Sequence, residues 1–311
     1  MQIIAIVSGL AAGALWALAF IAPRLVLPFG GTELTLLRYA VFGVSSGAIL
    51  AVLPAARWWP MARACWPRLV VLALTGNTLY YLLLSEALQR AGTLLPTMII
   101  GTLPVVIPAL AGLRTGLFSF RRLFWPALLI LSGLALHIGL TGRFAAADGA
   151  YWATGVGTVL ALAALASWTF YGLSNAALLA SFERVDLVAW TALTGVATFA
   201  TLPLVALLLP HGSPLLHTGQ WRPAPALILW GSVLGLLSSW VATWLWNLAS
   251  RRLPGEMLGY LIVSETIFAI VYAFLIEWRL PDFVELLSLA LLVAGVAVGI
   301  RAAARTGSAA S

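Results

Sequence analysis

One carboxylate, Glu265, lies deep in a long apolar run, with Arg252 behind it and Glu277 ahead, each about a dozen residues away. At about 1.5 Å of rise per helical residue, a dozen residues cross roughly half of a bilayer's hydrocarbon core, so in a spanning helix Glu265 sits near mid-depth. An ionisable group there costs on the order of 2.5 kcal/mol or more and faces a protein interior or a water-filled cavity, not lipid. Three uses are open to it. It can accept a substrate ammonium, hold a proton and so couple protons to transport, or make a structural hydrogen bond as a neutral acid.

Other polar and aromatic residues gather at the same depth. Trp240, Trp244 and Asn247 are spaced i, i+4, i+7, and Trp168, Tyr171 and Asn175 are spaced i, i+3, i+7, so each set falls on one helix face. Asn77, Tyr80 and Tyr81 lie at mid-run as well. Such stripes suit a cavity wall; rings that pack helix on helix, with amides bonded across the bundle, would give the same spacing. Arg38, five residues past Glu33, is the single arginine well inside an apolar run. It could compensate Glu265 or Glu86, receive a substrate carboxylate, or snorkel to the surface. Pro96, Pro104 and Pro108 share one run, where an interior proline frees an upstream carbonyl. The freed groups near Thr102 could bind substrate, or the prolines could only kink the helix.

These groups need a scaffold, and composition names it. Of 311 residues 62% are hydrophobic and 9% charged, where globular chains are near one quarter charged, so this is a polytopic membrane protein. The net charge of +7 comes from short basic clusters between apolar runs, a topogenic pattern that gives no reason to expect nucleic acid. All 17 basic residues are arginine, which excludes Schiff-base and P-loop lysines. Cys65, the one cysteine, cannot form an internal disulfide, and His137, His211 and His217 lack metal-ligand spacing. No metal or cofactor is expected.

Ten runs are long enough to span: 3–22, 32–53, 69–89, 93–113, 122–141, 152–179, 186–209, 225–249, 256–276 and 283–300. Run 3–22 lacks the basic start and cleavage site of a secretory signal and is read as the first span. With the N-terminus cytoplasmic, eleven arginines fall inside against five outside, which predicts N-in and C-in. Arg57 to Arg68, rich in Trp and Pro, reads as an inner interfacial segment, and Trp125, Trp152, Trp221 and Trp278 as anchors at span ends.

The chain also repeats itself. A shift of 162 positions lays Leu131–Leu134 on Val293–Val296 and Arg90 on Arg252, and Trp16 matches Trp168 at a shift of 152, the difference falling in the loop from Pro210 to Pro223. Five spans per half is an odd number, so the second half is inverted relative to the first, a plan that suits alternating access at a midplane site. The expected fold is therefore all-α, ten transmembrane helices in two inverted five-helix repeats, 1–142 and 143–311, within one membrane domain. Small-xxx-small pairs such as Gly43 and Gly47 serve packing inside a monomer.

Leu15-Trp16-Ala17, Leu37-Arg38-Tyr39, Ser167-Trp168, and the closing stretch from Glu277 to Pro281 and on through Ala294-Gly295-Val296 together resemble the drug/metabolite transporter superfamily, EamA-type. Glu277 matches the family's glutamate before the last helix, whereas Gly116 stands at the equivalent place of the first half. Ser264-Glu265-Thr266 departs from the proline that many members carry. The resemblance implies export of small metabolites across a bacterial inner membrane; the mid-depth aromatics point to amino acids, aromatic ones in particular. The expected substrate contacts are Glu265, Trp240, Trp244, Asn77, Tyr80, Tyr81, Trp168, Tyr171, Trp16 and Arg38. A membrane-embedded enzyme would need a cluster of catalytic groups at one membrane face, and a channel a charged ring or filter loop; neither can be assembled from the sequence. A carrier of drugs or other metabolites is the alternative within the superfamily.

Overall fold

The computed structural model describes residues 2–115, 120–148, 151–182, 185–209, 213, 225–250, 253 and 255–307. Gly116, Arg184, Arg251, Arg252, His211, His217, Trp221 and all of the Pro210–Pro223 loop except Ser213 lie outside these residues. Among the described residues the secondary structure is helical throughout. In chain order the helices are α1 (Gln2–Leu25), α2 (Gly31–Val52), α3 (Trp59–Ala73), α4 (Leu79–Ala91), α5 (Leu94–Ile100), α6 (Leu103–Thr115) and α7 (Phe120–Asp148). There follow α8 (Tyr151–Ala180), α9 (Leu187–Ala200), α10 (Leu202–Ala206), α11 (Pro225–Val233), α12 (Ala242–Ser250), α13 (Gly255–Glu277) and α14 (Phe283–Gly307).

Among the described residues six stretches are long and apolar enough to cross a membrane: Ile3–Leu25, Gly31–Val52, Trp59–Ala91, Tyr151–Asn175, Leu187–Ala206 and Pro225–Ala249. Leu94–Ile107, Phe124–Gly139 and Phe283–Gly299 are shorter apolar helices. Two expectations change. The interfacial segment is a 3-10 turn, Ala55–Arg57, after which helix runs from Trp59 straight into the third span, because Pro60 and Pro67 sit where their lost N–H groups do little harm or merely bend the chain. The fourth run breaks at Gly101 and Thr102, ahead of Pro104. The charge spacing around Glu265 is also shorter on one side, where Glu256 occupies the first turn of α13.

Helix ends are closed locally. Asp186 caps α9 by accepting from the N–H groups of Val188 (3.1 Å) and Ala189 (3.2 Å), and it pairs with Arg57. Partial burial pushes the Asp186 carboxyl up, but those N–H groups and the Arg57 guanidinium outweigh it and hold the group below the usual carboxylate range. At α2, Glu33 accepts from Gly30 N (2.9 Å) and from Ser213 Oγ (2.6 Å). On this same face, opposite the Arg57–Asp186 pair, Arg24 donates to Glu277 (2.6 Å), while Arg279 donates to Glu277 (2.8 Å) and grips Glu285 with two bonds of 2.7 Å. Gly92 ends α4 at φ 75°, a left-handed turn that glycine alone adopts freely.

Two π-helical segments interrupt the ladder: Leu74–Thr78 between α3 and α4, and Leu234–Val241 between α11 and α12. A shift of 162 positions carries the first into the second. Packing pairs α2 with α9 and α7 with α14, while α1 lies along α12 and α13, and α8 along α4, α5 and α6. The α7 and α14 backbones approach closely: a Cβ at Gly133 would meet Ser288 O at 2.7 Å, and one at Gly295 would meet Pro126 O at 2.9 Å. Glycine is required at both, since a methyl there would overlap main chain.

Candidate functional site

A cavity of about 500 Å³ lies between α1, α2, the first π segment, α4, α5, α6, α8, α9, the second π segment, α12 and α13. From mid-depth its lining runs to Asn175 near the end of α8, Leu187 at the start of α9 and Asn247 near the end of α12, so it extends toward the face that carries the Arg57–Asp186 pair. Of the residues expected from sequence, Glu265, Asn77, Tyr80, Trp168, Tyr171, Trp16 and Arg38 line it. Trp168 stands between Tyr80 (ring centroids 6.3 Å apart) and Tyr171 (5.8 Å), and Trp16 packs on Trp246 at 5.5 Å.

Each lining group has a local reason to be there. The first π segment carries an extra residue in its turn, which displaces the backbone and frees a carbonyl. Tyr39 Oη donates to the carbonyl of Asn77 (3.0 Å), and Ser167 Oγ to that of Thr75 (2.7 Å). The Asn77 side chain donates to Thr198 Oγ1 (2.8 Å), so α2, α8 and α9 are all fastened to this bulge. Gly76 lets the Tyr171 ring lie flat on the bulge: a Cβ there would come within 2.3 Å of the ring. On the fourth run, the break before Pro104 puts Gly101 and Pro104 on the wall, but Thr102 Oγ1 turns back to Ile99 O (2.7 Å) instead of facing the cavity.

Glu265 is partly buried on α13, and among the described residues no hydrogen bond or ion pair reaches its carboxylate. Arg38 does not snorkel. It is 8% exposed, its Nε donates to Ser239 Oγ (3.2 Å), and its Nη2 donates to Ser238 Oγ (3.5 Å) at the longest limit of a hydrogen bond. Its guanidinium carbon lies over the rings of Tyr81 (4.1 Å) and Tyr39 (5.0 Å). It pairs with neither Glu265 nor Glu86, since Glu86 is taken by Arg90 at 3.0 Å.

Three expected contacts fall elsewhere. Tyr81 is fully buried behind Arg38 and does not line the cavity. Trp240 donates through Nε1 to Ser46 Oγ (3.1 Å) and packs edge-on against Phe42, and Trp244 is 51% exposed on the outer surface of the bundle. The cavity face of that helix is instead Ser239, Thr243, Trp246 and Asn247. One residue along an α-helix is a rotation of about 100°, enough to exchange the inward and outward stripes. Trp190, Thr191 and Thr194 on α9 also line the cavity, and sequence reasoning passed over them. The available signal was the polar spacing Thr191, Thr194, Thr198 within an apolar run.

A bundle of apolar helices around a polar, aromatic-walled cavity near mid-depth defines a membrane protein of the transporter class, with no soluble domain among its described residues. Comparison with known proteins identifies the lineage. Residues 155–300 match the EamA-like transporter family. The chain is 34% identical over 311 residues to the inner membrane protein YtfF of Escherichia coli (strain K12), with 94% of each covered. The chain belongs to the EamA-like transporter family. A solved crystal structure shares the fold, with a TM-score of 0.62 and 21% sequence identity over 97% of this chain and 98% of its own.

Proposed function

We propose that the protein is a secondary transporter or facilitator that exports small metabolites, amino acids and above all aromatic ones, by alternating access through the central cavity. The carrying observation is Glu265 in that cavity, a carboxylate with no hydrogen bond or ion pair among the described residues, walled by Trp16, Tyr80, Trp168 and Tyr171. A substrate ammonium would satisfy the carboxylate, and the rings would cover an apolar or aromatic side chain.

The reading includes ten helices in two inverted repeats, 1–142 and 143–311, working as a monomer with both termini cytoplasmic in a bacterial inner membrane. Support for the repeat comes from the matched π segments, from the reciprocal glycines Gly133 and Gly295, and from helix pairing in which α1 crosses to α12 and α13 while α8 crosses to α4, α5 and α6. Support for the orientation comes from the arginine asymmetry. The test is a panel of labelled amino acids in proteoliposomes, with and without a proton gradient. Uptake of none of them above empty vesicles removes the amino-acid reading.

A further inference from the structure

We infer that Arg38 is the binding subsite for a substrate carboxylate, so that the cavity selects molecules bearing a free monocarboxylate. This rests on the proposed transport reading and specifies the second half of its ligand. A guanidinium has five N–H donors, and the groups it meets on Ser239 and Ser238 are neutral hydroxyls, not anions. Among the described residues no carboxylate lies within ion-pair distance of it. With only 8% of the residue exposed, such a charge is costly unless an anion joins it.

The side chain is also held in place before any ligand arrives. Tyr81 and Tyr39 flank the guanidinium, Tyr39 is itself tied to Asn77 O (3.0 Å), and Ser238 and Ser239 come from the second π segment. The rotamer entropy of a long side chain has therefore been lost in folding and is not charged against binding. An arginine that served structure alone would be expected to meet a carboxylate; this one ends at a cavity.

A monocarboxylate fits better than a phosphate. Glu265 shares the same cavity of about 500 Å³, and a dianion would be repelled by it, while a single fork supplies too little positive charge for a phosphoryl group. A carboxylate accepts two parallel N–H bonds from one guanidinium. Together the two ionic groups define a ligand with opposite charges at its two ends.

The experiment measures binding to the purified full-length protein of four probes: L-phenylalanine, its methyl ester, phenethylamine and 3-phenylpropanoate. In the wild type, the free amino acid binds about tenfold or more tightly than its ester or the amine, since charge-assisted hydrogen bonds are lost. Arg38→Gln abolishes that difference and the binding of 3-phenylpropanoate; Arg38→Lys, which keeps charge without the fork, restores part of it. Equal affinity for acid and ester in the wild type overturns the inference, and that comparison relies on no variant folding correctly. Binding of the amine with indifference to the carboxylate overturns the Arg38 subsite and leaves the Glu265 reading intact. Arg38-dependent binding of 3-phenylpropanoate without binding of the amino acid keeps the subsite and overturns the zwitterion reading. Failure of all four to bind overturns both.

Discussion

Replacing Glu265 by glutamine tests whether the cavity uses its negative charge. An amide has the same shape and can still accept a hydrogen bond, so the change isolates the ionic part of any contact with an ammonium. At a separation of about 3 Å and an effective dielectric near 20, the gross Coulomb attraction is roughly 5 kcal/mol, and desolvation of both ions cancels most of it. A charge-assisted hydrogen bond then nets about 1.5–3 kcal/mol, or roughly 10- to 150-fold in affinity. Because the amide of the variant would retain a neutral hydrogen bond, about tenfold is the expected loss. No protein group contacts this carboxylate through a hydrogen bond or ion pair among the described residues, so the fold itself should be unaffected. The assay is concentration-dependent counterflow of labelled amino acids in proteoliposomes, with melting temperature as the folding control. Amino acids should show a raised half-saturation concentration, and N-acetylated analogues, which lack the ammonium, should not discriminate wild type from variant. Unchanged uptake by Glu265→Gln for every substrate at every pH would refute the assignment.

Three further outcomes follow from the geometry. Trp246→Ala should change the substrate competition profile, while Trp244→Ala, on the outer surface at 51% exposure, should leave it as in the wild type; the opposite result would mean that the helix is rotated from the register described. Asp186→Ala should lower stability by about 1–2 kcal/mol, from loss of the α9 cap and of a partly exposed ion pair with Arg57, read as a fall in melting temperature. Since the folded-state pKa of Asp186 is depressed, its contribution is present above about pH 4 and disappears as pH falls through the folded value, so the variant and wild type should converge in acid; a constant difference down to low pH would contradict this. Gly133→Leu should cost about 1–3 kcal/mol or prevent folding, because the new side chain meets Ser288 O, and a wild-type melting temperature would show that α7 and α14 do not cross there.

Membrane insertion and the existence of helices were legible from residues alone. Runs of apolar residues matched to bilayer thickness leave the backbone one way to satisfy its polar groups, so Gln2–Leu25 or Tyr151–Ala180 needs no tertiary argument. The inward direction of Glu265 was legible for the same reason, as was the stripe of Trp168, Tyr171 and Asn175, which lies on uninterrupted α-helix where spacing maps directly onto a face; that of Arg38 was not, since snorkelling was equally open to it. What an unbroken 3.6-residue period could not supply was the course of the eighth run. There a π segment, Leu234–Val241, precedes α12 and turns Thr243 and Trp246 inward and Trp244 outward.

Tertiary structure alone decided the partners. Sequence separates Arg38 from Ser239 by 201 residues and Asn77 from Thr198 by 121, and nothing in local spacing encodes which distant hydroxyl a side chain will reach. Nor could composition tell whether Arg38 would neutralise Glu265: both are ionic, both lie at mid-depth, and only the packing of α2 against α9, α11 and the second π segment leaves them in one cavity without an ion pair. The chain dictated that charges must be sheltered, because hydrocarbon does not solvate them. The assembled bundle determined that the shelter is a space large enough for a ligand, because close backbone crossings at glycines and displaced carbonyls at π segments depend on pairs of helices brought together from both ends of the sequence.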